Sequence, residues 1–377
     1  MRKVVNVGML LVFIGIILLL VFGSNYISLV QAEEVLVING DGGFDDIFDY
    51  VADDGEVYIK HKHGVNEQEI RPCPDVLLEI NLNGGNDKVI LDFCETKRKI
   101  SGGDGDDYIS VYANGESTIT GDGGEDQILY VGDSKQDIDG GAANDNILSS
   151  SGDDLIKGSS GDDFIQGGGG EDTIYGGDGD DTIYGDNQGD DLGDDRIYGD
   201  NGEDKLFGER GDDLVYGGSG KDLIVGGFDN DLLYGDGDDD EMYGGSGGDD
   251  EMYGGDGKDL MYGRNQNDLL CGGADSDYML GESGKDSLGL EDGHDYGNAG
   301  GDDQGDKVEG HYPLYEEGVG LEQDTTIGCL IAEYCDIDFY DEGDHICKEE
   351  EDPSPSPSSS ASASPSSSPS PSASASP

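Results

Sequence analysis

Along the middle of the chain one large apolar residue recurs at every ninth position in an otherwise polar background. From Gly158 the sequence runs GSSGDDFIQ, GGGGEDTIY, GGDGDDTIY; after an expanded unit at 185–198 it continues GDNGEDKLF, GERGDDLVY, GGSGKDLIV, GGFDNDLLY, GDGDDDEMY. A ten-residue unit, GGSGGDDEMY at 244–253, precedes GGDGKDLMY, GRNQNDLLC, GGADSDYML and GESGKDSLG, which ends at Gly289. Position 1 of each unit is Gly, position 4 is usually Gly, position 6 is Asp and position 8 is Ile, Leu, Val or Met. Gly and Asp across six residues oppose a helix, because Gly loses the most backbone entropy and Asp favours turns. The three residues around position 8 predict a short strand whose centre points inward while its neighbours point outward.

A unit this short cannot bury its apolar residue alone, so the period implies a solenoid. Two units make a coil of turn, strand, turn, strand. Stacked coils give an all-β, right-handed parallel β-roll: two thin sheets with the apolar centres between them and the turns stacked along two edges. About ten such coils between 102 and 289, at roughly 4.7–4.9 Å per strand, would be roughly 50 Å long. Asp213 and Asp231 then lie one coil apart on one edge, and Asp204, Asp222 and Asp240 on the other. The ten-residue unit must bulge in its turn, since a slip within the strand would turn Met252 outward.

Upstream, GGDGDDYIS, GDGGEDQIL and GGAANDNIL begin at Gly102, Gly121 and Gly140, nineteen residues apart, which is close to two units. The stretches between them, such as 111–120, read as a second turn and strand that have lost the consensus. Gly42-Gly43-Phe44-Asp45 and Gly84-Gly85-Asn86-Asp87 echo the turn, so 33–101 is expected to be a degenerate solenoid start. The roll proper is assigned to 102–310, decaying through His294-Asp295. Residues 311–352, with three cysteines, read as a C-terminal cap. Only Ser, Pro and Ala follow Pro353, a composition that cannot form a core and reads as an extended tail over 353–377.

Charge decides what holds the coils together. Asp plus Glu is 86 against 20 for Lys plus Arg, a formal net charge of −66. Such a chain repels phosphate, which excludes nucleic acid as a partner, and it repels itself when compact unless cations compensate. One apolar side chain per unit is too little burial to offset chain entropy, so the missing stability must come from the turns. Each turn offers a carboxylate at position 6 and carbonyls beside glycine. A hard cation with about six to eight oxygen ligands suits that set, which points to calcium rather than zinc or copper. Folding and ion binding are then one linked event.

The units resemble haemolysin-type (RTX) calcium-binding repeats, GGxGxDxUx. GGDGDDYIS and GGDGDDTIY match every defined position, and the likeness spans 102–289. The resemblance implies several calcium ions held by Asp107, Asp126, Asp145, Asp154, Asp163, Asp172, Asp181, Asp195, Asp204, Asp213, Asp222, Asp231, Asp240, Asp250, Asp259, Asp268, Asp277 and Asp286. It also implies carbonyl ligands and tight turns at Gly102, Gly158, Gly161, Gly167, Gly176, Gly179, Gly199, Gly208, Gly217, Gly220, Gly226, Gly254 and Gly257.

Other features weigh less. Met1-Arg2-Lys3, an apolar run over 7–22 and Val30-Gln31-Ala32 have the layout of a signal peptide over 1–32, with an uncleaved N-terminal membrane anchor as the competing reading. Either places the rest outside the cytoplasm, secreted or at the cell surface. Six cysteines suit an oxidising compartment. Cys73 and Cys94 are expected to bridge adjacent coils, while the pairing of Cys271, Cys329, Cys335 and Cys347 stays open. Gly244-Gly245-Ser246-Gly247-Gly248 fits GxSxG, but a nucleophile elbow needs a strand, a helix and a histidine. His61 and His63 could share one face of a strand as a metal pair, or simply be exposed. Position 9 is repeatedly Tyr (Tyr175, Tyr184, Tyr216, Tyr234, Tyr243, Tyr253, Tyr262), which reads either as a ladder stiffening the sheet or as a carbohydrate-contacting, adhesive face. The reading is a non-enzymatic structural or adhesive protein. The alternatives are an extracellular polysaccharide-acting enzyme on a solenoid, which the scarcity of Lys, Arg and His disfavours, and a calcium-gated module tethered to a partner.

Overall fold

In a computed structural model the chain divides into two units, Met1–Leu330 and Ile331–Pro377. The residues described are 17–22, 25–30, 35–40, 43, 45–51, 57–63, 66–70, 77–92, 95–187, 193–291, 293–300 and 307–310, all within the first unit. The expected C-terminal cap beyond 310, the Ser/Pro tail, and Cys73 and Cys94 lie outside them. All regular structure among the described residues is β. Two sheets run side by side, one of 16 strands and one of 15, and successive strands of the repeat alternate between them. Within each sheet the repeat strands pair in parallel and in register: Tyr198 opposite Tyr216 and Tyr216 opposite Tyr234 in the first, Ile165 opposite Ile183 in the second.

The apolar centres form one file between the sheets. Ile156, Ile174, Ile197, Val215, Leu233, Met252 and Leu270 come from the first sheet, and Ile147, Ile165, Ile183, Leu206, Ile224, Met242 and Met261 from the second; all are fully buried. Met252 stays in this file because the ten-residue unit takes its extra residue in the turn: Leu233 pairs with Met252, and Gly248 takes φ +81°.

Strand length departs from the expectation. Repeat strands run to six residues, as in Leu214–Ser219 and Leu223–Phe228, not three. The ladder resumes after position 1: Gly218 pairs with Asp236 and Ser219 with Gly237. In such units positions 1–3 of the turn extend the preceding strand, and only positions 4–6 are free of the sheet.

At the N-terminal end Ile17–Phe22 and Asn25–Val30 form an antiparallel hairpin that joins Val35–Asn39 at the rim of the first sheet. Removal of a leader here would leave Val35–Asn39 as that rim. Among the described residues no helix is long and apolar enough to cross a membrane. Asp45–Val51, Val57–His63 and Asn66–Ile70 meander antiparallel at the rim of the second sheet, with His61 and His63 on one strand.

Candidate metal centre

The position-6 aspartates stack in two columns, one on each edge. The first edge, whose turns lead into the 16-stranded sheet, carries Asp154, Asp172, Asp195, Asp213, Asp231, Asp250, Asp268 and Asp286. Asp195 N–H donates to Asp213 Oδ1 at 2.8 Å and Asp213 N–H to Asp231 Oδ1 at 3.0 Å. The second edge carries Asp107, Asp126, Asp145, Asp163, Asp181, Asp204, Asp222, Asp240, Asp259 and Asp277. Asp204 N–H donates to Asp222 Oδ1 and Asp222 N–H to Asp240 Oδ1, both at 2.8 Å. Partners are 18 residues apart, so each coil holds two nonapeptides and each edge takes alternate repeats, as the sequence implied. Across the expanded unit the step widens to 23, from Asp172 to Asp195 and from Asp181 to Asp204, and the register survives.

One carboxylate oxygen is thus spent on a backbone N–H of the preceding coil. The other is buried with no hydrogen-bond partner: Oδ2 of Asp107, Asp126, Asp145, Asp163, Asp181, Asp204, Asp222, Asp240, Asp259 and Asp277 on the second edge, and of Asp172, Asp195, Asp213, Asp231, Asp250 and Asp268 on the first. A buried oxygen left this way costs about 1–3 kcal/mol, and more if charged. Repeating that cost at every turn is sustained only if something else satisfies the oxygens.

The glycines show where it would sit. A Cβ added to Gly208 would lie 2.3 Å from Asp213 Oδ2 and 2.7 Å from Gly226 O; on Gly217 it would lie 2.5 Å from Asp222 Oδ2 and 2.8 Å from Gly235 O. Position 1 must therefore be bare to keep open a space where a carboxylate oxygen and a carbonyl of the next coil converge. Gly102, Gly158, Gly167, Gly176, Gly199, Gly226 and Gly254 repeat the arrangement with their own aspartates. The position-4 glycines shape the turn instead, Gly161, Gly179, Gly220 and Gly257 taking φ between +127° and +147° there. Among the described residues no three His, Cys, Asp or Glu side chains converge, so an ion here takes most of its oxygens from the backbone. That donor set, one hard carboxylate oxygen with carbonyls, fits calcium.

Burial also governs the protons. Desolvation, reinforced by neighbouring carboxylates and opposed by the backbone hydrogen bond each accepts, pushes Asp213 up to about 7, Asp231 and Asp240 to about 9, and Asp222 to about 6. Burial thus makes these carboxyls easier to protonate than an exposed aspartate when no cation is bound.

The register extends the second column at both ends. The second column begins earlier than expected: Asp45 N–H donates to Asp87 Oδ1 and Asp87 N–H to Asp107 Oδ1, both aspartates being buried. It also ends later, since Asp277 N–H donates to Asp295 Oδ1. Asp154, by contrast, is not equivalent to its column. Its Oδ2 accepts the Ser149 hydroxyl, and Ser149 stands where other turns have glycine. Asp186, also unforeseen, is buried beside the first column and is pushed up to about 7 by desolvation. Position 5 forms an exposed string on each edge: on the first, Asp212 N–H donates to Asp194 Oδ1 and Asn230 N–H to Asp212 Oδ1, each at 2.9 Å; on the second, Asp180 N–H donates to Asp162 Oδ1 at 3.1 Å and Glu203 N–H to Asp180 Oδ1 at 2.9 Å. Lys221, at the same position, is exposed and pairs with Asp239.

The tyrosines divide between the two outer faces. On the first sheet Tyr175, Tyr198, Tyr216, Tyr234 and Tyr253 stack with centroids 4.7–5.2 Å apart and planes within 12°. On the second, Tyr184 stacks on Phe207 and Tyr243 on Tyr262. Each inner ring gives both faces to its neighbours. Tyr253 and Cys271 add a small buried cluster at one end of the first ladder, and Cys271 is disulfide-bonded; every other cysteine lies outside the described residues. Ser246 sits in the bulged turn, its N–H donating to Gly227 O, with no strand-to-helix elbow around it.

A family model described as RTX calcium-binding nonapeptide repeat (4 copies) matches residues 99–112, 137–156, 157–192, 189–224, 216–250, 245–270 and 253–288. No curated protein matches the chain.

Proposed function

Because the chain belongs to the RTX calcium-binding nonapeptide-repeat family and carries calcium-binding repeats across 99–288, we propose that it is an exported, non-enzymatic structural or adhesive protein whose roll is set by calcium. The observation that carries this reading is the pair of columns of buried, unpartnered Oδ2 atoms, each beside a glycine kept bare and most also facing a carbonyl of the next coil. An ion in such a space would be held by Asp213 and Gly226, or by Asp222 and Gly235, so that each ion ties one coil to the next. Calcium neutralises the carboxylates and supplies the cohesion that a single file of apolar residues lacks. The chain's own part is to present the oxygens at 18-residue intervals and to keep the gap open with glycine.

Export is supported by the charged start and apolar run of residues 1–32, and it places the protein where calcium is abundant. A structural role is supported by the tyrosine ladders. Their rings spend their faces on one another, which stiffens the sheets and leaves ring edges and hydroxyls for any carbohydrate that docks there. A groove of about 270 Å³ lies over the turns at 249–251, 267–269 and 285–287. Its lining is the acidic turn stack itself, with Lys285 and Ser287.

Isothermal titration of the full chain with calcium tests the proposal. Many weak sites are expected, with dissociation constants on the order of 10⁻⁴–10⁻³ M, the range of extracellular modules. One or two tight sites would contradict a distributed stack.

A further inference from the structure

The first edge changes character toward the N terminus. Register aligns Arg98 with Ser117 and Ser117 with Gln136 in the column that later becomes aspartate, and Gln136 N–H donates to Asp154 Oδ1 at 2.7 Å. The three coils before Asp154 therefore lack the carboxylate on this edge.

Arg98 is almost fully buried, and its guanidinium donates to four oxygens of the neighbouring turn. Nη1 reaches Ser117 Oγ at 2.9 Å and Gly115 O at 3.2 Å; Nη2 reaches Asn114 O at 2.8 Å and Ala113 O at 3.0 Å. A cation thus sits among consecutive turn carbonyls, where the rest of the edge presents carboxylate and carbonyl oxygens. One coil further on, the Gln136 amide donates to Ser134 O and to Gly115 O.

The bare glycine is gone as well. In its file stand Leu91, Val111 and Tyr130, mutually in register and buried. Side chains fill the space that a Cβ on Gly208 would obstruct. Arg98 N–H itself donates to Glu116 O rather than to a carboxylate.

We propose that the Arg98 guanidinium is a resident cation standing in for calcium on the first edge, and that the described residues between Leu91 and Gln136 form a calcium-independent seed on which the calcium-dependent coils stack. A planar guanidinium is always charged and satisfies several carbonyls at once, and the extra apolar side chains give these coils a wider core than the repeat. The seed is one-sided: the second edge of the same coils keeps Asp107 and Asp126, so its turns still depend on an added ion.

Hydrogen exchange read by mass spectrometry on the full chain, with calcium and in chelator, tests this. In chelator the amides of 113–117 and 132–136 are expected to exchange at least about tenfold more slowly than those of 208–213 and 226–231. In calcium, Arg98→Met should lose that protection at 113–117 and keep it at 208–231. Arg98→Lys, a point charge without the fork, should fall between. A parent chain whose 113–117 amides exchange in chelator as fast as 208–213 overturns the seed, as does an Arg98→Met chain with unchanged protection at 113–117; if that variant does not fold, the parent comparison decides alone. Slow exchange at 208–231 in chelator would instead count against the calcium reading, which is a separate failure.

Discussion

The two edges of the roll solve one problem in two ways over residues 91–136. On the second edge an uninterrupted aspartate column passes through Asp107 and Asp126, each with a buried Oδ2 lacking a partner. On the first edge the same coils hold Arg98, Ser117 and Gln136, whose side chains meet turn carbonyls directly, and Leu91, Val111 and Tyr130 pack where glycine would be. Beyond Asp154 the two edges become alike. A parallel coil can thus be closed by the chain's own side chains or by an imported ion. The second solution repeats with nine residues and one apolar side chain; the first needs a longer turn and a larger core.

The largest expected effect that sharpens this contrast comes from the core. Ile174→Ala should cost about 2–5 kcal/mol in saturating calcium, the usual range for a fully buried aliphatic side chain, and so should Ile100→Ala in the seed. Thermal unfolding at increasing calcium should recover part of the Ile174→Ala loss, because ligand binding to the folded state adds stability. It should recover less for Ile100→Ala, and equal recovery in both would erase the distinction.

Glycine substitutions come next. Gly208→Ala places a methyl 2.3 Å from Asp213 Oδ2, filling the space assigned to an ion; we expect about 1–3 kcal/mol of overpacking and the loss of calcium at that turn. Gly237 is the control. An added Cβ there meets nothing nearer than 3.8 Å, so Gly237→Ala should leave calcium stoichiometry unchanged and stability within about 0.5 kcal/mol. Matching losses would mean that the bare glycines do not mark the sites.

Charge removal tests the independence of the edges. Asp222→Asn keeps one oxygen and loses the charge. It should weaken calcium binding beside Asp204 and Asp240, its hydrogen-bonded neighbours, more than beside Asp213, and Asp222→Ala should cost more. Exchange protection resolved by turn reads the difference, and Lys221→Ser, at an exposed position, should change little.

Acid offers a milder probe. The folded-state pKa values of the columns are raised, to about 6 for Asp222 and about 9 for Asp231, against an unfolded value of about 3.9. For an acid raised on folding, the calcium-free fold is favoured where both states are protonated. That advantage is fully present below the unfolded pKa and is lost as pH rises through the folded values. Metal-free chain should therefore show its strongest β signal at or below about pH 4 and lose it progressively as pH rises from about 4 toward 9; a calcium-free chain equally unfolded at pH 4 and pH 8 speaks against the burial of these carboxyls. The smallest effect belongs to the ladders. Tyr262→Leu, which loses one stacking partner, Tyr243, should cost about 0.5–1.5 kcal/mol, visible as a modest shift in thermal midpoint with calcium affinity unchanged.

Much of this architecture is legible in the spacing of residues. Position 8 marks the inward file, the period of nine marks half a coil, and the ten-residue unit has to bulge to keep Met252 inside. What the spacing hides depends on register. Asp87 stands five residues after Leu82 rather than after a consensus glycine, and Asp45 is 42 residues further back, so the sequence shows only an echo of the turn at each and the register alone places them in a column. Arg98, Ser117 and Gln136 share no chemical type, and only the pairing of their strands places them in the aspartate file. Tyr198 lies in the expanded unit, where the count of nine fails, and it is hidden for the same reason. The strands are longer than expected because glycine at positions 1–3 looks like turn, although its backbone still pairs with the next coil.

Far-ultraviolet circular dichroism of the full chain at neutral pH, in chelator and then through a calcium titration, tests the central claim most directly. A calcium-set roll predicts a weak β signal without calcium, confined to the N-terminal coils, rising cooperatively as the ion is added and reversing when it is withdrawn. A spectrum in chelator that already matches the calcium-loaded one would contradict it.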